Sequence, residues 1–209
     1  PKAIEVRCTV VAQVTTGEEL IAAVEAASET EPSVIEIGEL DIYLLETVNL
    51  TKPITVRGAG IGKTVIKRDA TVSSLRMLEL SNASASVESL TVTNGYLNSG
   101  TGAGAYVSAG TIRRCEFYNC RNQPWNTGWN QGGGVKLSGS NSKLIACVIR
   151  GLNVSDGQGE ALWLESSAVA ESCRCRGLAV SAVATGLEYT LNRLSMIDDD
   201  AAVRQKMMA

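Results

Sequence analysis

"VKLSGSNSKLIACVIRGL", residues 135–152, is two short strands separated by a small polar turn. Its apolar residues alternate in "VKL", break at "SGSNS", and return in "LIACVI". Alternation with period two is the mark of a strand with one buried face, and clustered Ser, Gly and Asn mark a turn. The same pattern recurs three times. "MLELSNASASVESLTVTNG" runs from Met77, "AYVSAGTIRRCEFYNC" from Ala105 and "LWLESSAVAESCRCRGL" from Leu162. The second strands align as Val87/Leu90/Val92/Asn94, Ile112/Cys115/Phe117/Asn119, Leu144/Cys147/Ile149/Gly151 and Val169/Cys173/Cys175/Gly177, the last with one extra residue between its first two positions. Leu90, Cys115, Cys147 and Cys173 lie 25, 32 and 26 residues apart. A further unit is expected at Leu187–Thr190.

A unit this small cannot bury its own apolar face, so neighbours must stack to build a continuous core. The expected inward set is Leu78/Leu80, Ala105/Val107, Val135/Leu137 and Leu162/Leu164. Stacked strands lie about 4.8 Å apart, so equivalent residues form ladders. The repeat resembles that of the right-handed parallel β-helix of the pectate-lyase-like superfamily, over residues 34–190. The resemblance implies an all-β fold: a right-handed single-stranded parallel β-helix (a solenoid) of about six coils. It does not select a function, because the superfamily includes lyases, hydrolases, epimerases, phage tailspikes and adhesins.

The flanks fit that architecture. Residues 1–33 read as a strand, "AIEVRCTVVAQV", followed by a capping helix, "TTGEELIAAVEAASE". Thr16 and Glu19 have capping-box spacing, and Leu20, Ile21, Val24 and Ala27 share one helix face. The helix ends before Pro32. Residues 191–209, with Asp198–Asp200 ahead of helix formers, read as a C-terminal cap, an assembly segment or a tail.

Composition narrows the chemistry. The chain has 209 residues, a net charge of −3, 4% aromatics and no histidine. A narrow solenoid core needs few large aromatics. The near-neutral charge gives no basic stripe for nucleic acid, and no apolar run is long enough to span a membrane. The absent histidine removes His-dependent triads and the commonest zinc ligand. No signal-peptide pattern opens the chain. Cys115, Cys147 and Cys173 read as small fillers of an interior ladder, and Cys120, out of phase at a turn, as the exposed thiol.

In the opposite phase, Glu79, Tyr106, Lys136, Trp163 and Glu188 form an expected outward ladder, with Ser81 or Asn82, Ser108, Ser138 and Glu165 beside it. The loop "NQPWNTGWNQGGG" carries Trp125 and Trp129 just before the Lys136 strand. These tryptophans have three readings: self-packing over the sheet, sugar-stacking platforms, or a protein contact. The ligand-binding candidates are Tyr106, Trp125, Trp129, Trp163 and Glu165. Two function classes stay open. One is a non-catalytic surface, virion or assembly protein that recognises a polysaccharide or protein partner, as a homo-oligomer or within a larger assembly, in an extracellular or cell-surface setting and with no cofactor. The other, implied by the superfamily's lyases, is a Ca²⁺-dependent enzyme acting on acidic polysaccharide, with Lys136 as catalytic base and Asp156 and Glu160, with Glu165, as metal ligands.

Overall fold

The computed structural model of the chain describes residues 9–123, 132–150, 161–175 and 180–183, with the side chains of 14–123, 132–150 and 161–175. The described residues are mostly β with one short helix, and every strand pairing among them is parallel. One sheet takes strands in chain order: Thr9–Val14, Ser33–Ile37, Ile54–Gly58, Leu78–Glu88, Ala105–Arg113, Val135–Ser138, Leu162–Glu165 and Val180–Val183. A second sheet repeats the rule with Asp41–Leu44, Val65–Arg68, Thr91–Thr93, Glu116–Tyr118, Val148–Arg150 and Arg174–Cys175. Three further strands, Val48–Leu50, Ser142–Ile145 and Val169–Glu171, also join the first sheet, so an aligned unit gives that sheet one long or two short strands and the second sheet one, each beside its equivalents in the neighbouring units.

Register pairs equivalent residues. Val48, Leu78, Ala105, Val135 and Leu162 form one buried column, and Leu50, Leu80, Val107, Leu137 and Leu164 a second. The other sheet contributes Ile42, Ile66, Val92, Phe117, Ile149 and Cys175. The chain's single Phe is fully buried in that column. Its ring fits because Gly104 has no side chain: a Cβ there would stand 2.8 Å from Phe117 Cδ1. The expected inward residues of all four aligned units are buried. One alignment changes. Leu144 pairs with Ala170, not Val169, so the last unit has no extra residue and its core position is an alanine. The period-two pattern favoured the larger Val169, but backbone register overrides side-chain size.

Identical corners join the two sheets. Ser89, Arg114, Ala146 and Ser172 all have positive φ, between 52° and 55°, and each immediately precedes Leu90, Cys115, Cys147 or Cys173. A non-glycine residue in this region costs roughly 1–2 kcal/mol. The stack compensates by pairing three of these corner amides with the next unit: Ser89 N–H donates to Arg113 O, Arg114 N–H to Ile145 O and Ala146 N–H to Glu171 O, at 2.8–3.2 Å. A left-handed residue also shifts the in–out phase, so the residue after it points inward. That explains a correction. Cys120 follows Asn119, whose φ is 52°, and is fully buried instead of exposed. Its Sγ donates to Val92 O at 3.7 Å.

The five described thiols, Cys115, Cys120, Cys147, Cys173 and Cys175, are free and keep to this interior. Cys115, Cys147 and Cys173 each place Sγ 3.5–3.7 Å from a carbonyl of the preceding unit, namely Val87, Ile112 and Leu144. Thr64 precedes them in the column, its hydroxyl donating to Gly38 O at 2.6 Å. Burial pushes Cys120 and Cys175 up to about 12. Cys147 is raised by burial and by its thiol neighbour Cys115. Cys173 is raised by its contact with Cys147 and then by burial.

The helix Gly17–Ala26 has the capping box the sequence predicts: Glu19 N–H donates to Thr16 Oγ1 at 3.1 Å and Thr16 N–H to the Glu19 carboxylate at 3.2 Å. Leu20, Ala23 and Val24 are buried, and the helix packs on strands Val48–Leu50 and Asp41–Leu44. The strand Thr9–Val14 pairs in parallel with Ser33–Ile37, so it extends the first sheet. Lys52, unremarkable in sequence, holds the other helix end: its Nζ donates to Glu25 O at 2.6 Å and Ala27 O at 3.1 Å.

Two expectations follow. Lys52→Ala leaves the last helix carbonyls without that cation and should cost about 1–2 kcal/mol in urea unfolding; an unchanged midpoint would show that the contact is idle. Native protein treated with iodoacetamide at neutral pH should show no label at Cys115, Cys120, Cys147, Cys173 or Cys175 by peptide mass spectrometry, and label at all five after denaturation. The unfolded Cys120 thiol ionises near its ordinary value of 9.0, while the folded one holds its proton to about 12. Across that window the folded state binds more protons, so stability should fall as pH rises from 9 towards 12.

Candidate functional site

The outward phase forms a continuous row. Asn49, Glu79, Tyr106, Lys136, Trp163 and Ser181 are register partners across six strands. Four of the five expected members, Glu79 to Trp163, are thus brought together. The fifth place belongs to Ser181, only 18 positions after Trp163, and Glu188 lies outside the described residues. The sequence alignment assumed a constant repeat length, and the last unit is shorter. The neighbouring row also changes. Ser138 pairs with Glu165, but the register shifts between Val107 and Ala109, so Ser81 pairs with Ala109 and Ser108 turns its hydroxyl to Leu80 O at 3.3 Å.

Local chemistry ties the row together. Lys136 is mostly buried, with its side chain 12% exposed, and its Nζ lies 3.1 Å from Glu165 Oε1. The same oxygen accepts the indole N–H of Trp163 at 2.7 Å. Trp163 is only 4% exposed. Burial alone would raise the Glu165 carboxyl. The Trp163 N–H, the Lys136 ammonium and the Ser138 hydroxyl together outweigh it and hold Glu165 below its ordinary value. Tyr106, half-buried, is bordered by Arg76, whose guanidinium lies 5.1 Å from the ring centre. Arg76 Nη1 contacts Glu79 Oε2 at 2.5 Å, and Nη2 donates to Thr101 O at 3.0 Å. Sequence reading missed Arg76 because it precedes its strand and belongs to no repeated position.

The loop that carries Trp125 and Trp129 lies outside the described residues, as do Asp156 and Glu160. Its C-terminal end is described. Gly132, with a φ of 60°, presses against the row: a Cβ there would stand 3.1 Å from the Cβ atoms of both Lys136 and Trp163. The carbonyls of Gly132, Gly133 and Gly134 accept from Gly102, Ala103 and Ala105. The glycine run therefore lets this backbone close over the base of the row.

Beside the row, the same sheet carries Glu36, Arg57, Glu88 and Arg113 as register partners. The Glu88 side chain, 10% exposed, meets Arg57 Nε at 3.5 Å, Arg113 Nε at 3.3 Å and Arg114 Nη2 at 3.3 Å. This is a charge ladder. Among the described residues, no three or more His, Cys, Asp or Glu side chains gather as a metal set, and no helix is long and apolar enough to cross a membrane. No family model and no curated protein matches the chain.

Glu165→Gln keeps an acceptor for the Trp163 N–H but leaves the Lys136 ammonium without its anion. It should cost about 1 kcal/mol at neutral pH, read as a lower melting midpoint. Glu165 is depressed in the folded state, so its contribution is present above 4.5 and disappears as pH falls through the lower folded value. The gap between wild type and variant should therefore close in acid; a gap independent of pH would show that the ion pair is not its origin.

Proposed function

We propose that the chain is a right-handed parallel β-helix of the pectate-lyase-like kind that works by binding, recognising a polysaccharide or protein partner through the Tyr106 row. The strict chain order of two parallel sheets supports the fold, since a helical path through the repeats delivers strands in that order. The repeated left-handed corners support it too.

The observation that carries the binding reading is the way charge is matched within the row. Lys136 is paired with Glu165, and Arg76 with Glu79, on either side of the Tyr106 ring. A lyase base must be free to take a proton from substrate, whereas the Lys136 ammonium is occupied by a neighbour and largely covered. Paired groups still have unused donors and acceptors, held in fixed directions. A half-buried ring rimmed by such groups suits a sugar, whose apolar face stacks on the ring while its hydroxyls bond the rim. Gly132, against Lys136 and Trp163, borders the same row.

Binding to an array of neutral and acidic glycans is the direct test. Tyr106→Ala should weaken a captured glycan by roughly two- to tenfold, the value of one aromatic contact, with the melting midpoint kept near wild type. Unsaturated products released from an acidic polysaccharide with Ca²⁺, and lost in Lys136→Ala, would overturn the binding reading in favour of the lyase. Unchanged binding in Tyr106→Ala would remove the row as the surface.

A further inference from the structure

A second site lies at a corner of the other sheet. Arg68 ends the strand Val65–Arg68, and the register of Lys67 with Thr93 and Thr93 with Tyr118 puts Arg68, Asn94 and Asn119 at equivalent places in three successive units. Tyr96 and Arg121 follow them and are themselves register partners. These residues, with Ala70 and Gly95, line a cavity of about 140 Å³. Its lining contains two arginines and two amides but no carboxylate.

The arginines set this corner apart. Arg57, Arg76, Arg113, Arg114 and Arg150 all sit in ion pairs. Among the described residues, Arg68, Arg121 and Arg174 have none, and of these Arg68 and Arg121 approach the same Tyr96 ring, at 6.0 and 5.4 Å from its centre. Two guanidiniums beside one ring repel, and no carboxylate lines the cavity; Asp69 feels the Arg68 charge, but from outside the lining. Arg68 is held in place by backbone carbonyls: Nε donates to Asn94 O at 2.9 Å, and Nη1 to Val72 O and Asp69 O. The adjacent acid, Asp69, spends its Oδ1 on Thr71, accepting from its amide at 2.8 Å and its hydroxyl at 2.6 Å. The Tyr96 hydroxyl donates to Gln123 Oε1 at 3.2 Å, and Asn119 Nδ2 donates to Asn94 Oδ1 at 2.7 Å. The second Nδ2 hydrogen of Asn119, the Asn94 amide nitrogen, Arg68 Nη2 and the Arg121 guanidinium therefore remain as donors around an acid-free cavity.

We infer that this corner is an oxyanion site, taking one sulfate, phosphate or carboxylate group between Arg68 and Arg121. The guanidinium fork matches such groups two oxygens at a time. The volume sets the scale: it is below the roughly 300 Å³ at which whole-ligand pockets begin, so it accommodates a charged group and leaves the remainder of a larger ligand outside. A bound anion would also relieve the repulsion between the two arginines. This site is separate from the Tyr106 row and does not depend on the function proposed for it.

The test titrates the full chain with inorganic sulfate and phosphate by calorimetry, with chloride replaced to hold ionic strength constant. Saturable binding is expected, weakened roughly tenfold or more in Arg121→Ala and only partly restored in Arg121→Lys, which keeps charge but loses the fork. Arg121 is exposed, and its contact is with the Tyr96 ring, so its removal should leave the fold intact, which a matching melting midpoint verifies. Arg174→Ala, at the other described arginine without an ion pair, should bind as wild type. A sulfated disaccharide that binds more tightly than free sulfate, and is displaced by it, would assign the group to a larger ligand; equal affinity would assign the free ion. Absence of saturable binding, or equal binding by wild type and Arg121→Ala, would overturn the site.

Discussion

Parallel pairing in register is the constraint on which this protein depends. It makes each side chain's nearest neighbours the residues at the same place in the units before and after, about 4.8 Å away. A column therefore succeeds or fails as a column. Inside, apolar residues meet apolar residues, from Val48 to Leu162 and from Ile42 to Cys175. Outside, like charges would face each other at close range and destabilise the stack. The chain answers with alternation. Glu36, Arg57, Glu88 and Arg113 follow one another in a single column, and ion pairs between neighbouring units join Lys67 to Asp41, Lys63 to Glu39 and Arg150 to Glu116.

The same constraint explains the corners. One residue in the left-handed region is a local cost, yet it recurs at Ser89, Arg114, Ala146 and Ser172. Stacking lets Ser89, Arg114 and Ala146 pair their amides with the next unit, so the cost is met by the ladder itself. It also creates a second set of inward positions. Cys115, Cys147, Cys173 and Cys120 all follow a left-handed residue and all point into the core. Their thiols reach the carbonyls of the preceding unit.

Against that background, departures from column logic indicate where a surface has work beyond holding itself together. In the Tyr106 row, an aromatic ring stands between two internal ion pairs, and a glycine run brings a loop end against Lys136 and Trp163. At the Tyr96 corner, two arginines converge without a carboxylate, unlike the columns beside them. The first arrangement is charge-balanced and suits a neutral polar surface. The second is not, and suits an anion.

Much of this was legible from residue order. Alternation and repeat spacing identified the strands, the four inward pairs and most of the outward row, because period two and stacking are both one-dimensional properties. The capping box of Thr16 and Glu19 was legible for the same reason: its two contacts span three residues. Contacts between units were decided by the tertiary structure. Register alone put Ala170 opposite Leu144 and Ser181 beside Trp163. A phase change at Asn119, invisible to an alternating pattern, buried Cys120. Arg76 joined Tyr106 across 30 residues, Lys52 reached a helix end 25 residues earlier, and Arg68 came to share Tyr96 with Arg121. The sequence by itself determined which residues alternate; the pairing of backbones from different repeats decided which of them meet, because in a parallel stack every lateral contact is long-range along the chain.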